Sequence, residues 1–169
     1  TNSVQQAIVA RFNDVAQEGA SGRFSYPVGK EGLAALGYPK ELCARLPEAQ
    51  QALFCGVGNV LAPATLSEGE RVLDIGCGCG LDALLAALLV GPGGHVTGLD
   101  LSPAMVEQAQ RSADEAGIRN VRFLTQNAAE WDCPKECFDV VLSNGVFNLI
   151  AEKEACLRTV WRLLKPGGR

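Results

Sequence analysis

The run Asp74-Ile75-Gly76-Cys77-Gly78-Cys79-Gly80 constrains this chain more than any other stretch. Val72-Leu73-Asp74-Ile75 reads as a short buried strand, and three glycines at alternating positions follow it. Glycine at those places lets the backbone turn tightly and approach a ligand closely. The apolar segment over residues 81–90 then reads as a helix, whose free N–H groups point back at the turn. Strand, glycine turn and helix in that order predict a βα unit with a ligand outside the carboxyl end of its strand.

The chain continues in the same alternation. Residues 95–99 form a second strand ending at Asp100, and Ser102 is a good N-cap with Pro103 at the first helical position. That helix runs to about residue 116, with Gly117 past its end. Residues 121–124 and 138–143 read as third and fourth strands, and residues 152–164 as a last helix before Lys165-Pro166-Gly167-Gly168. Right-handed crossovers then give an α/β, Rossmann-like parallel sheet of order 3-2-1-4, stopping before a fifth strand. The fourth strand would have a bare edge at Val140, Val141 and Leu142, which predicts a further C-terminal segment or a second copy of the chain as its cover.

The first sixty residues read as helices and loops. Val4, Ile8, Phe12 and Val15 make an amphipathic stripe, and Gly22, Pro27, Gly29 and Gly32 mark a loop. Pro39 opens a short helix carrying Leu42 and Leu46, Pro47 another to about residue 54, and residues 56–59 form a loop. The expected division is a helical cap, 1–62, on a ligand-binding core, 63–169.

A net charge of -4 lacks the basic footprint of a nucleic-acid binder. No apolar run approaches the roughly 18 residues of a membrane span. Seven cysteines, an odd number without a secretory leader, point to the reducing cytoplasm and to free thiols.

Asp100 lies 20 residues after Gly80, where a carboxylate suits the two ribose hydroxyls of an adenosine. Two cofactor classes compete. Gly78-Cys79-Gly80-Leu81-Asp82-Ala83 fits a dinucleotide fingerprint, hence a nicotinamide-dependent oxidoreductase, but its first glycine comes late after the strand. Asp74 would repel a pyrophosphate, whereas it suits the cationic amino and sulfonium groups of S-adenosylmethionine.

From residue 71 onward the chain resembles the seven-stranded S-adenosylmethionine-dependent methyltransferases. The matching pieces are Val72 to Gly80, Val96-Thr97-Gly98-Leu99-Asp100, Phe138-Asp139-Val140-Val141 and Leu164-Lys165-Pro166-Gly167-Gly168. The resemblance implies that Asp74, Gly76, Cys77, Gly78 and Gly80 line the methionine moiety and that Asp100 holds the ribose. It implies that Leu101 packs on adenine, and that Asn127, where the family usually has Asp, bonds the adenine amino group beside the Ala128 backbone. Met105 and Trp131 suit adenine packing or ordinary core filling equally. A non-catalytic module that binds the cofactor is a further alternative.

A narrower resemblance, to arsenite methyltransferases and their relatives, lies in Phe54-Cys55-Gly56-Val57-Gly58-Asn59, in residues 90–98 and in Ser143-Asn144-Gly145-Val146-Phe147-Asn148-Leu149. It implies that the first stretch covers the cofactor and that Ser143, Asn144 and Asn148 face the acceptor side, the first two also serving the cofactor. It implies a small-molecule acceptor, arsenite or another soft nucleophile. Arsenite needs cysteine thiolates, yet Val57, Gly145 and Phe147 stand where that family often has Cys. Cys43 and Cys55 are the available substitutes, and a shared scaffold with a different acceptor is the favoured reading.

Cys77 and Cys79 suit a tight loop, and Cys156 a helix core. Cys133 and Cys137 have no second pair or histidine to complete a zinc site, so no metal is expected. His95, the one histidine, reads as structural. No catalytic residue is singled out; a base would come from Tyr26, Tyr38, Glu130 or Asp132.

Overall fold

The computed structural model describes residues 3–169; Thr1 and Asn2, at the start of the expected cap, lie outside the described residues. Five helices come first: α1 (Ser3–Glu18), α2 (Gly29–Ala35), α3 (Lys40–Cys43), α4 (Glu48–Ala52) and α5 (Leu61–Ala64). The alternating part follows as β1 (Arg71–Ile75), α6 (Leu81–Val90), β2 (His95–Asp100), α7 (Pro103–Ala116), β3 (Val121–Thr125), β4 (Val140–Ser143) and α8 (Lys153–Leu163). All strand pairs are parallel and the order is β3-β2-β1-β4, as the alternation predicts.

Period-2 geometry sorts the strand residues onto two faces. Val72, Val96, Val121, Phe123, Val140 and Leu142 pack against α6 and α7, while Leu73, Ile75 and Leu99 meet Phe138, Cys156 and Leu163 on the α8 side. Asp74 therefore shares the face of Val72, directed towards α6, and pairs in register with Gly98. The predicted capping of α7 is present: the Ser102 hydroxyl accepts from the Met105 N–H at 3.1 Å, and Gly117 adopts a left-handed conformation.

Several local readings need correction. Gly29 and Gly32 do not mark a loop but belong to α2, because burial of Leu33 and a 2.7 Å bond from the Gly29 N–H to the Phe54 carbonyl outweigh glycine's low helix propensity. The helix after Pro39 ends at Cys43, short of Leu46. β4 starts at Val140 rather than Phe138, since Asp139 turns its carboxylate to the Arg71 N–H at 2.8 Å and to Lys165 at 2.7 Å. The β4 edge is not bare along its whole length. Arg169 donates to the Asp139 carbonyl at 3.0 Å and accepts from the Val141 N–H at 2.9 Å. Residues Leu33, Tyr38, Leu46 and Phe54 of the N-terminal helical part share one apolar cluster with α6 and the sheet.

The core tolerates no extra volume where β2 passes β3. A Cβ at Gly98 would lie 2.6 Å from the Phe123 ring and 2.9 Å from Cys77 Sγ. Gly98→Ala is expected to cost about 1–3 kcal/mol in urea denaturation, the usual range for overpacking. Gly93→Ala, whose nearest neighbour would stand at 3.9 Å, should leave the midpoint nearly unchanged.

Candidate functional site

The glycine turn is built from positive backbone angles, 69° at Gly76, 52° at Gly78 and 86° at Gly80, which side chains rarely adopt. Gly76 and Cys77 both donate to the Leu99 carbonyl, at 2.8 and 2.9 Å, so the turn is pinned to the end of β2. Asp100 completes the anchorage. Its two carboxylate oxygens accept from the Gly78 N–H at 2.8 Å and the Ser102 N–H at 2.9 Å. Each oxygen keeps a lone pair for a further donor. A Cβ at Gly78 would meet nothing within 4 Å, so the turn has open space on its outer side.

Asp74 is the anomaly of the site. It is 2% exposed, and its Oδ2 is buried without a hydrogen-bond partner among the described residues. Burial, and then the charges of Asp82 and Asp100, hold its carboxyl well above the usual carboxylate range. An orphaned, buried carboxylate oxygen in an acidic surround calls for a cationic donor. That chemistry fits an amino or sulfonium group and opposes a pyrophosphate.

The cap supplies polar contacts that sequence reasoning missed. The fully buried Gln50 amide donates to the Cys79 carbonyl and accepts from the Ser112 hydroxyl at 2.7 Å, bolting α4 to the turn and to α7. The Ser102 hydroxyl donates to Asn13 of α1 at 2.6 Å. Tyr38 donates to Asp82 Oδ1 at 2.6 Å. Asn144 donates to Asp82 Oδ2 at 2.9 Å and accepts from the Val57 and Gly58 N–H groups at 2.9 and 3.2 Å. No spacing signal marks these partners, which lie up to 106 residues apart.

The expected site residues divide into those that gather and those that do not. Asp74, Gly76, Cys77, Gly78, Gly80 and Asp100 converge on the turn, with half-buried Leu101 beside it. Ser143 reaches the same end of the sheet by donating to the Ile75 carbonyl at 3.0 Å. Met105 is fully buried with Val15, Ala16, Ala20 and Cys79, and so sits behind the turn as core. Asn127 Oδ1 accepts from the Ala129 N–H at 3.0 Å, and Ala128 is buried on the α8 side. Trp131 packs against Phe138.

Cys43 and Cys55 do not come together as a pair: they fall in separate clusters, with Asp82 acting on Cys43 and with Asp100 and Arg11 acting on Cys55. Burial, then the Asp100 charge, pushes the Cys55 thiol up to about 11. Asn148 is exposed in a turn. Of the candidate bases, Tyr26 donates to the Cys55 carbonyl and Tyr38 to Asp82, while Glu130 and Asp132 are exposed. His95 lies at the opposite end of β2 from the turn. A cavity of about 420 Å³ in the cap is lined by residues between Ser21 and Ala52 and by none of the turn.

The methyltransferase domain family matches residues 66–169, and the chain belongs to it. The family's cofactor is S-adenosylmethionine. The arsenite methyltransferase of Halobacterium salinarum is 38% identical over 138 residues, 82% of this chain and 35% of that protein. The demethylmenaquinone methyltransferase of Listeria welshimeri is 36% identical over 104 residues, 62% of this chain and 44% of that protein. An arsenic(III) S-adenosylmethionine methyltransferase from Chlamydomonas reinhardtii superposes with a TM-score of 0.63 at 35% identity, over 85% of this chain and 48% of that one. The chain thus spans less than half the length of these relatives. The nicotinamide-dependent reading is not favoured by this family membership. No helix among the described residues is long and apolar enough to cross a membrane.

Proposed function

We propose that this chain carries the cofactor site of an S-adenosylmethionine-dependent methyltransferase acting on a small, soft acceptor, in the cytoplasm. The observation that carries this reading is the orphaned Oδ2 of Asp74, buried at the mouth of the glycine turn beside two further carboxylates. In this reading Asp74 receives the ammonium of the methionine moiety, with the Gly76, Cys77, Gly78 and Gly80 backbone around it. Asp100 spends its spare lone pairs on the ribose hydroxyls, while its bonds to Gly78 and Ser102 keep the turn in shape. Leu101, Asn127 and Ala128 form the adenine wall, and Met105 supports the turn from behind through Cys79.

Bound S-adenosylmethionine supplies a methyl group on a positively charged sulfur, ready for direct displacement. The residues need only exclude water and align an acceptor lone pair with that methyl. Val146 packs over Gly76, and Val57 approaches Gly145, so the expected acceptor side is walled by apolar groups. Residues 1–62 act as its cap, with Ser143 and Asn144 at the edge between cofactor and acceptor. Cys55 is the thiol closest in sequence to this wall, but a thiol raised to about 11 is a poor arsenite ligand near neutral pH. A soft acceptor other than arsenite therefore has the better fit.

Mass spectrometry of products from S-adenosylmethionine with thiols, phenols and arsenite plus glutathione tests the acceptor. Methylated thiol without methylated arsenic is the expected outcome, and methylated phenol alone would contradict the soft-acceptor assignment. Methylation of arsenite would reverse the acceptor assignment, and cofactor binding without turnover across the panel would favour a non-catalytic module.

A further inference from the structure

Cys133 and Cys137 have no part in the reading above, and they share one surface turn between β3 and β4. Cys43, Cys77, Cys79 and Cys156 are buried, and Cys55 packs into the apolar cluster around Val15 and Met105. Cys133 and Cys137 are both half-buried. Between them the chain folds tightly: Glu136 has a φ of 53°, a left-handed angle that a residue with a side chain rarely adopts. The turn is pinned at both ends. The Arg162 guanidinium donates to the Cys133 carbonyl, and the Cys137 N–H donates to the Leu163 carbonyl at 2.8 Å. The Cys137 thiol lies back over the turn, donating to the Pro134 carbonyl at 3.1 Å, and is in hydrogen-bond contact with the Cys133 thiol. Thiols so placed are within the reach of a disulfide. Their surroundings favour an order of reaction. Burial first, and then the Cys137 sulfur, push the Cys133 thiol up, against the pull of Arg122 and Arg162. That keeps Cys133 protonated near neutral pH and suits it to a second step, in which the two guanidiniums steady its thiolate.

We propose that Cys133 and Cys137 form a redox-modification site, which small-molecule disulfides convert reversibly to an intramolecular disulfide. The Cys137 thiolate attacks one sulfur of the small disulfide, forming a mixed disulfide and releasing one small thiolate, which takes up the proton that Cys137 gave away. Cys133 then loses its proton and attacks the Cys137 sulfur, expelling the second small thiol. Two protein thiols and one small disulfide thus become one protein disulfide and two small thiols, and two electrons pass to the small molecule. Excess small thiol drives the exchange backwards, as expected for a bridge near the surface.

The test is incubation of the reduced full chain with oxidised glutathione, followed by acid quenching, alkylation and peptide mass spectrometry. The parent should lose two of its seven thiols to a bridge between Cys133 and Cys137, and recover both in excess reduced glutathione. Cys133→Ser should stop at one glutathione held on Cys137. Cys137→Ser should take up glutathione on Cys133 about tenfold more slowly, since the first nucleophile is gone. Retention of all seven thiols, a bridge between any other pair, or a lasting mixed disulfide on the parent would overturn the proposal. Equal rates in the two variants would overturn the order of attack that it specifies. No cofactor is added, so each outcome stands apart from the cofactor reading.

Discussion

Asp100→Ala should lower the affinity for S-adenosylmethionine by about 100-fold or more. Two charge-assisted hydrogen bonds to the ribose are worth about 3 kcal/mol together, and every 1.4 kcal/mol is about tenfold. The loss has a second source. Asp100 also receives the Gly78 and Ser102 N–H groups, so its removal frees the turn that must cradle the ligand. Asp100→Asn should not rescue binding, because its amide N–H₂ would face one of those backbone donors. Calorimetry measures the affinity, and a melting curve separates the two effects. A variant that melts with the parent but binds weakly places the loss in the ribose contact. A variant that binds as tightly as the parent would refute the assignment of Asp100.

The second large effect concerns protons. Burial first, then the charges of Asp82 and Asp100, raise the Asp74 carboxyl, so the ligand-free site favours its neutral form. A cation bound at Oδ2 favours the ionised form. Below the raised folded pKa, binding must therefore expel a proton, and affinity climbs with pH until that pKa is passed. The binding enthalpy should differ between phosphate and Tris buffers by the heat of taking up that proton. Asp74→Asn should lose most of this buffer dependence and bind about 30-fold or more weakly, since a charged partner is replaced by a neutral one. The same shift acts on stability with a definite sign. A carboxyl raised on folding stabilises the folded chain when protonated, and that contribution is lost as pH rises from the unfolded value through the folded one. Burial raises Asp82 and Asp100 in the same direction, so the ligand-free protein should lose stability from this cluster on alkalinisation, and ligand should restore it. A binding enthalpy independent of buffer would contradict the orphaned-carboxylate account.

What the sequence made legible was local. β1, the glycine turn, α6 and the capped α7 are each specified by neighbours within a few residues, through alternation, positive backbone angles and the Ser102-Pro103 start. Parallel order followed from the alternation of elements. α2 was hidden because its stability comes from packing and from the Gly29 bond to Phe54, not from propensity. The convergence of Asp74 and Asp100 on the glycine turn was legible because both acids lie at the carboxyl ends of consecutive strands. Gln50, Asn13 and the Tyr38–Asp82–Asn144 cluster were not, since each joins a cap residue to a core residue far away in sequence, and only folding brings the two together. Cys43 and Cys55 lie in separate apolar clusters, and nothing in their spacing announced that separation.

The most direct test of the central claim is titration calorimetry of the unaltered chain with S-adenosylmethionine at two pH values in two buffers. Micromolar binding that tightens with pH and releases a proton is the expected result. Absence of binding, or binding with no proton release that survives Asp74→Asn unchanged, would contradict the claim that the orphaned Asp74 carboxylate receives the cofactor's charge.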